Sequence, residues 1–288
     1  MDTVNTIKQQ IEAGNISVGI ELGSTRIKTV AVNEACETIA TGSFEWENVF
    51  KDGFWTYSLN DVWNGLQISY SAMTDAIKAE YGTTVKQIQS LGISGMMHGY
   101  LAFDEKDDLL VPFRTWRNNN AHDAARQLTE AFGVNIPERW SIAQLYDAAL
   151  QDAPHTSKVR YMTTLSGYVH WYLTGERVLG VGDASGMFPI DPKTHAFRED
   201  LLDHFNELYH AQGYTQDVRD VLPKVLTSGE DAGYLTEIGA KLIDPNHELE
   251  SGCPMCAPEG DAATGMVATN SVAPRTCLLY TSPSPRDR

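Results

Sequence analysis

The chain has 288 residues, 42% of them hydrophobic, and sets 22 Lys and Arg against 38 Asp and Glu for a formal net charge of −16. That length allows one large or two moderate domains with a well-buried core. The acidic balance argues against nucleic acid or an anionic membrane as partner, and the absence of a long apolar run or of a signal-peptide core in residues 1–15 points to a cytoplasmic protein.

After an N-terminal extension over 1–15, the run from Val18 to Val32 (Val-Gly-Ile-Glu-Leu-Gly-Ser-Thr-Arg-Ile-Lys-Thr-Val-Ala-Val) reads as strand, tight glycine turn, strand. Gly23 and Ser24 sit at the reversal, so the tip presents backbone N–H groups and two hydroxyls that can hold phosphate. Glu21, ending the first strand, can hold a hydrated magnesium beside that phosphate, and Arg26 and Lys28 can offset its charge. An ordinary hairpin with a salt-bridged rim fits the same residues, since no Gly-x-x-x-x-Gly-Lys is present. A third strand is expected over Thr38 to Trp46. Val62, Leu66, Tyr70, Met73 and Ile77 then fall at helical spacing on a helix begun near Ser58 or Asn60, and a strand follows from Gln87 to Ile93.

The stretch Leu91 to Phe103 reads as strand, glycine-bracketed loop, strand, and the loop carries Met96, Met97 and His98 before Gly99. A histidine between glycines is commonly a loop residue satisfied by backbone. From Asn118 to Leu173 the chain reads as mostly helical, with stops at Pro137 and Pro154 and a long helix from Lys158 through Tyr172. Tyr168, His170 and Trp171 on that helix are expected to pack. Leu201 to His210 is another helix, on which His204 and His210 stand six apart and so share no face for a metal. Val221 to Ile243 suggests strand, turn and short helix.

Cys253 to Pro258 is expected as a short buried strand, and Pro-Glu-Gly-Asp-Ala-Ala-Thr-Gly-Met over 258–266 places Asp261 where that strand meets a helix over Ala262 to Ala268. There it can accept a hydroxyl proton, with glycines on either side admitting a close substrate, or it can simply cap the helix. Cys36, Cys253, Cys256 and Cys277 are too few for a disulfide framework. Cys253 and Cys256 have the spacing of half a zinc site but no second pair, and are expected as buried strand thiols. Residues 277–288 have no periodicity, close on Ser-Pro pairs, and read as a non-native tail.

Taken in this order and at these separations, the three glycine loops resemble the FGGY family of carbohydrate kinases, in its xylulokinase-like form, within the actin-like ATPase superfamily. Glu21-Leu-Gly-Ser-Thr-Arg26 is similar to the family's first phosphate motif, Met96-Met-His-Gly99 to its Gln-Met-His-Gly loop, and Gly260-Asp-Ala-Ala-Thr-Gly265 to its Gly-Asp-x-x-Ala-Gly motif. Trp116-Arg-Asn-Asn-Asn120, Leu173-Thr-Gly-Glu176 and Asp183-Ala-Ser-Gly186 resemble further family stretches. The resemblance implies an α/β, ribonuclease-H-like N-terminal domain over 16–276 with a helical insertion covering the sugar, the second domain of the fold being missing.

It also implies ATP and Mg2+ as cofactors. Gly23, Ser24, Thr25 and Arg26 would hold phosphate, Glu21 the metal, and Met97, His98, Gly99, Trp140 and Asp261 the substrate, with Asp261 as the base. The substrate would be a small sugar or polyol, a ketopentose such as xylulose being favoured, and the full-length parent a possible homodimer. Glu21 stands where the family has Asp, which lengthens the arm to the metal. Met96 replaces Gln, and Asn119 stands where many relatives have Asp, which removes polar contacts to sugar hydroxyls. Two other readings remain: a non-catalytic sugar-binding or regulatory module of the same fold, and an actin-like ATPase with a protein partner, against which stands the Met97 to Gly99 loop with its helical insertion.

Overall fold

A computed structural model describes residues 3–273. Helix α1 (Thr3–Glu12) leads into an antiparallel meander of β1 (Ser17–Leu22), β2 (Arg26–Val32) and β3 (Thr38–Glu45), in which Glu21 pairs with Lys28 and Leu22 with Ile27. Alternation decides the faces: Val18, Ile20 and Leu22 are buried while Gly19 and Glu21 are exposed, as a half-covered sheet requires. A small hairpin of β4 (Val49–Lys51) and β5 (Phe54–Thr56) precedes the long helix α2 (Leu59–Tyr81). All five residues of the expected stripe, Val62 through Ile77, are buried. Helix α2 lies close on the meander because Gly42 and Gly65 carry no side chain: a Cβ on Gly42 would overlap the Ser69 carbonyl oxygen and one on Gly65 the rings and methyls of Phe44 and Ile27. A buried hydroxyl pair, Thr29 to Ser69 at 2.9 Å, crosses the same contact.

Strand β6 (Ser90–Gly95) runs parallel to β1; it begins three residues later than expected and continues through Gly95. The strand after the glycine loop, β7 (Leu101–Phe103), does not return to β6. Helices α3 (His122–Phe132) and α4 (Ser141–Leu150) follow, and then β8 (Tyr161–Thr163), which pairs antiparallel with β7. The expected long helix from Lys158 is therefore broken, and α5 (Leu165–Thr174) starts only after Thr164, whose side chain caps it by accepting the Gly167 N–H. That cap satisfies a helix-start donor; β8 pairs with β7 on one side, while the Met162 N–H donates to the Val221 carbonyl at 2.8 Å. Tyr168, His170 and Trp171 are buried, as expected.

The chain then forms β9 (Val178–Gly180), the short helix α6 (Val181–Ala184), α7 (Glu199–Ala211), β10 (Lys224–Leu226), which pairs parallel with β9, and α8 (Glu237–Ile243). It returns to the main sheet as β11 (Glu259–Gly260), parallel to β6, and ends in α9 (Asp261–Ala268). The principal sheet has the order β11-β6-β1-β2-β3. The segment 253–258, expected as a continuous strand, touches β6 only through a bridge from Met255 to Leu91 before β11. Pro254 and Pro258 lack the N–H a central strand needs. Cys253 is buried, but Cys256 is exposed, which corrects the expectation of two buried thiols.

Among the described residues two large hydrophobic cores result, beside a small cluster of Val178, Leu226 and Ala232. One joins α2 and α5 to the principal sheet around Ile20, Leu66, Ile93 and Leu165; the other fills the insertion between α3, α4 and α7 around Leu128, Tyr146 and Phe205. No helix among the described residues is long and apolar enough to cross a membrane. The expected tail over 277–288 and the last residues of the 16–276 domain lie outside the described residues.

Candidate active site

The parallel strands β1, β6 and β11 end side by side, and their register sets Glu21, Ser94 and Glu259 in one row across the sheet. Substrates of open α/β sheets approach the carboxyl ends of such strands. A cleft of about 540 Å³ lies there, lined among others by Glu21, Lys28, Ser94, Glu259, Asp261 and Thr264. Helix α9 is fastened over its edge by the Thr264 and Ser94 hydroxyls, 2.8 Å apart.

Asp261 is the first residue of α9, Gly260 taking the capping position before it. Its side chain opens onto the cleft, and its Oδ1 accepts the Met97 N–H at 3.4 Å. Burial raises the carboxyl above its ordinary pKa, against which the N–H groups of Met97, Ala262 and Asp261 itself favour the charged form. Gly260 is required by packing: a Cβ there would overlap the Met97 side chain. The base candidate and the methionine-histidine loop are thus in direct contact.

His98 adopts the left-handed region, φ +67°. Its Nδ1 lies 3.2 Å from the Gly186 carbonyl, so Nδ1 carries the proton and Nε2 is left as an acceptor. The ring stacks on Trp140 with centroids 6.4 Å apart. Burial pushes its pKa down to about 4, with the Arg139 charge adding to that and the Gly186 carbonyl opposing it; the imidazole is neutral at neutral pH. Gly99, φ +106°, has no room for a Cβ against Phe113 and the Arg114 carbonyl.

The hairpin tip is more heavily used by its own fold than expected. Gly23 N–H donates to the Arg26 carbonyl at 3.0 Å, the Gly23 carbonyl accepts Trp46 Nε1–H at 2.8 Å, and the Ser24 carbonyl accepts the Tyr57 hydroxyl at 2.6 Å. Arg26 is paired with Glu45 at 3.1 Å. Ser24 and Thr25 line a neighbouring cavity of about 500 Å³ with Trp46, Trp55, Trp116 and Arg117, where the Arg117 guanidinium lies 3.8 Å from the Trp55 ring centroid. The structure therefore brings Glu21 and Asp261 to one cleft, Met97 to Asp261 and His98 to Trp140, while Ser24 and Thr25 face the aromatic cavity.

No group of three His, Cys, Asp or Glu among the described residues could cage a metal. Magnesium fits the open cleft nonetheless, because it keeps waters and takes one or two carboxylates with substrate phosphates, and Glu21 supplies an exposed carboxylate on the cleft wall.

Two acidic residues of this region had no role in the sequence reading. Asp183 on α6 is fully buried; its Oδ2 accepts the hydroxyls of Thr164, at 2.6 Å, and of Ser166. Burial raises its pKa to about 7; the two hydroxyls oppose the rise, and the charges of Glu259 and Asp261 add to it. Glu259 turns from β11 toward α6, where its Oε2 accepts the Asp183 N–H at 3.1 Å. The Asp183 stretch stood out only by resemblance, and nothing local marked Glu259, whose partner Asp183 lies 76 residues earlier.

Residues 16–146 match the family model described as the FGGY family of carbohydrate kinases, N-terminal domain. The chain is similar to a xylulose kinase of Lactococcus lactis, 22% identical over 234 residues that cover 76% of this chain and 42% of that one. Among solved structures it is similar to a xylulose kinase from Brucella ovis, TM-score 0.74 at 20% identity over 90% of this chain and 51% of that one. It is also similar to a gluconate kinase from Lactobacillus acidophilus, TM-score 0.72 at 19% identity over 89% and 50%. The chain spans about half the length of the curated relatives it matches. At such identity these likenesses show a shared fold alone.

Proposed function

We propose, from the match of residues 16–146 to the N-terminal domain of the FGGY family of carbohydrate kinases, that this chain is the sugar-binding, base-bearing part of an ATP-dependent phosphotransferase acting on a small sugar or polyol, a ketopentose such as xylulose by preference. One observation carries the reading: Asp261, at the carboxyl ends of three parallel strands, touches the Met97 to Gly99 loop through the Met97 N–H. A substrate hydroxyl held by that loop lies within reach of the carboxylate.

In the proposed reaction Asp261 takes the hydroxyl proton as the oxygen attacks the γ-phosphorus of ATP in line; the bond to the β–γ bridging oxygen breaks and ADP leaves. Neutral His98 offers Nε2 to a sugar hydroxyl, and Trp140 holds the ring in place. Lys28 on the cleft wall offsets phosphate charge, and Glu21 would hold magnesium, which when bound neutralises charge developing on the transferred group. Gly23 to Thr25 serve mainly through the turn geometry that sets β1 against β2, with the Ser24 and Thr25 hydroxyls facing the adjoining cavity.

The test is calorimetric titration of the chain with xylulose, other ketoses, polyols and gluconate, with and without magnesium ATP. Saturable binding of one of these, weakened at least tenfold by Asp261→Ala, is expected. In a phosphoryl-transfer assay Asp261→Asn should lose roughly 10²- to 10⁴-fold in rate, the contribution typical of a general base. A folded chain that binds none of the panel sinks the reading.

A further inference from the structure

We propose, on the reading of Asp261 as the base, that Glu259 is a positioning residue: through the segment 180–186 its carboxylate sets Asp261 in register with His98. Glu259 and Asp261 flank Gly260 at the end of β11, so whatever fixes Glu259 fixes the start of α9. The Glu259 carboxylate lies in a slot against β9 and α6. Its Oε2 accepts the Asp183 N–H at 3.1 Å, and the N–H groups of Gly182 and Gly260 also favour its charge. Gly180 and Gly182 make the slot, since a Cβ on either would overlap the carboxylate. The backbone doubles the contact, with Gly180 N–H donating to the Pro258 carbonyl at 2.8 Å.

The other end of the same seven residues touches the sugar loop. The Gly186 carbonyl accepts the His98 Nδ1–H at 3.2 Å, and a Cβ on Gly186 would stand 2.6 Å from that nitrogen. Between the two ends Asp183 is tied to Thr164 and Ser166 at the start of α5, and Ser166 in turn packs against Gly95 of β6. The segment is clamped at both ends and in the middle, and its end clamps lead to the strand bearing the base and to the loop bearing the imidazole. With its Oε2 engaged by the Asp183 N–H, Glu259 acts through these neighbours and not on substrate.

The experiment follows the imidazole signals of His98 in the full chain labelled with 15N-histidine, in wild type, Glu259→Ala and Glu259→Gln. Releasing the segment should move the His98 signals and raise its protonation midpoint toward the ordinary range, because the ring's release from burial and from the Arg139 charge outweighs loss of the Gly186 carbonyl. Glu259→Gln, which keeps one accepting oxygen, should show a smaller shift in the same direction. His155, bonded to the Tyr100 hydroxyl within the insertion core, should stay unchanged as an internal control. Gly180→Ala should shift the His98 signals in wild type and shift them less in Glu259→Ala, where the slot is empty. Xylulose affinity should fall several-fold in Glu259→Ala and recover in part in Glu259→Gln.

His98 signals that superimpose on wild type in folded Glu259→Ala overturn the proposal; should that variant not fold, the same result in Glu259→Gln overturns it. Absence of sugar binding by the wild type would count against the kinase reading alone, since the imidazole signals report the clamp without sugar.

Discussion

His98, His155 and His170 all have pKa values pushed down by burial to about 4, and Asp183 has one pushed up to about 7 by the same cause. The signs are opposite. A histidine that titrates near 6.5 unfolded and near 4 folded contributes stability that is present above 6.5 and lost as pH falls toward 4, because only the unfolded chain takes up the proton in that window. Asp183, ordinarily near 3.8, contributes stability that is present below 3.8 and lost as pH rises through 7, because the folded chain must hold a proton the unfolded chain has released. Asp183→Asn, which needs no proton to stay neutral, should therefore gain thermal stability relative to wild type as pH rises from 5 to 8. His155→Gln should gain relative to wild type as pH falls from 6.5 to 4. Parallel unfolding midpoints across those ranges would show that neither group is held in its neutral form. Asp183 itself was visible in the sequence as part of a motif, but its burial was not, because Thr164 and Ser166 reach it across 19 and 17 residues.

Helix α2 and the meander beneath it show which elements the sequence can announce. The stripe Val62, Leu66, Tyr70, Met73 and Ile77 repeats at helical spacing over more than four turns, and the helix forms where that repeat predicts. Its closeness to β3 was not legible, because it depends on which residue of α2 meets Gly42. Two consequences can be measured by urea unfolding. Leu66→Ala, which empties a fully buried site, should cost about 2–5 kcal/mol. Gly42→Ala forces a methyl into the backbone of α2 and should cost about 1–3 kcal/mol, with an unchanged denaturant slope, since the same surface is exposed on unfolding. The break between β8 and α5 marks the limit of periodicity. Tyr161 to Thr163 follow a helical pattern as well as a strand pattern, and the partner that decides, β7, lies about 60 residues away.

The two cores meet around the Met97 to Gly99 loop. His98 and Gly99 bond to Gly186 and Arg139 of the insertion, and Met97 bonds to Asp261 of the principal sheet. A sugar seated on this loop would touch both cores, so binding should stabilise the molecule as one unit. Xylulose at a hundred times its dissociation constant should raise the unfolding free energy by about 2.7 kcal/mol, read as a single shifted thermal transition; two transitions, one of them insensitive to sugar, would place the ligand within one core. Magnesium ATP should add to that shift through Glu21 and Lys28, and Glu21→Ala should remove the magnesium-dependent part while leaving the sugar shift.

The strand-turn-strand at Gly23, the loop at His98 and the strand-to-helix turn at Asp261 were legible in the chain because each is a local pattern of β-branched runs, glycines and a helix start, set within about ten residues. Their order was enough to suggest the fold. Packing over long separations settled the rest: the single row of Glu21, Ser94 and Glu259, the neutralising pair of Arg26 with Glu45, the exposure of Cys256, and the clamp of Glu259 on α6. Those features depend on which strand lies beside which and on where a missing Cβ lets two backbones approach, and such contacts leave no periodic trace in the residues that make them.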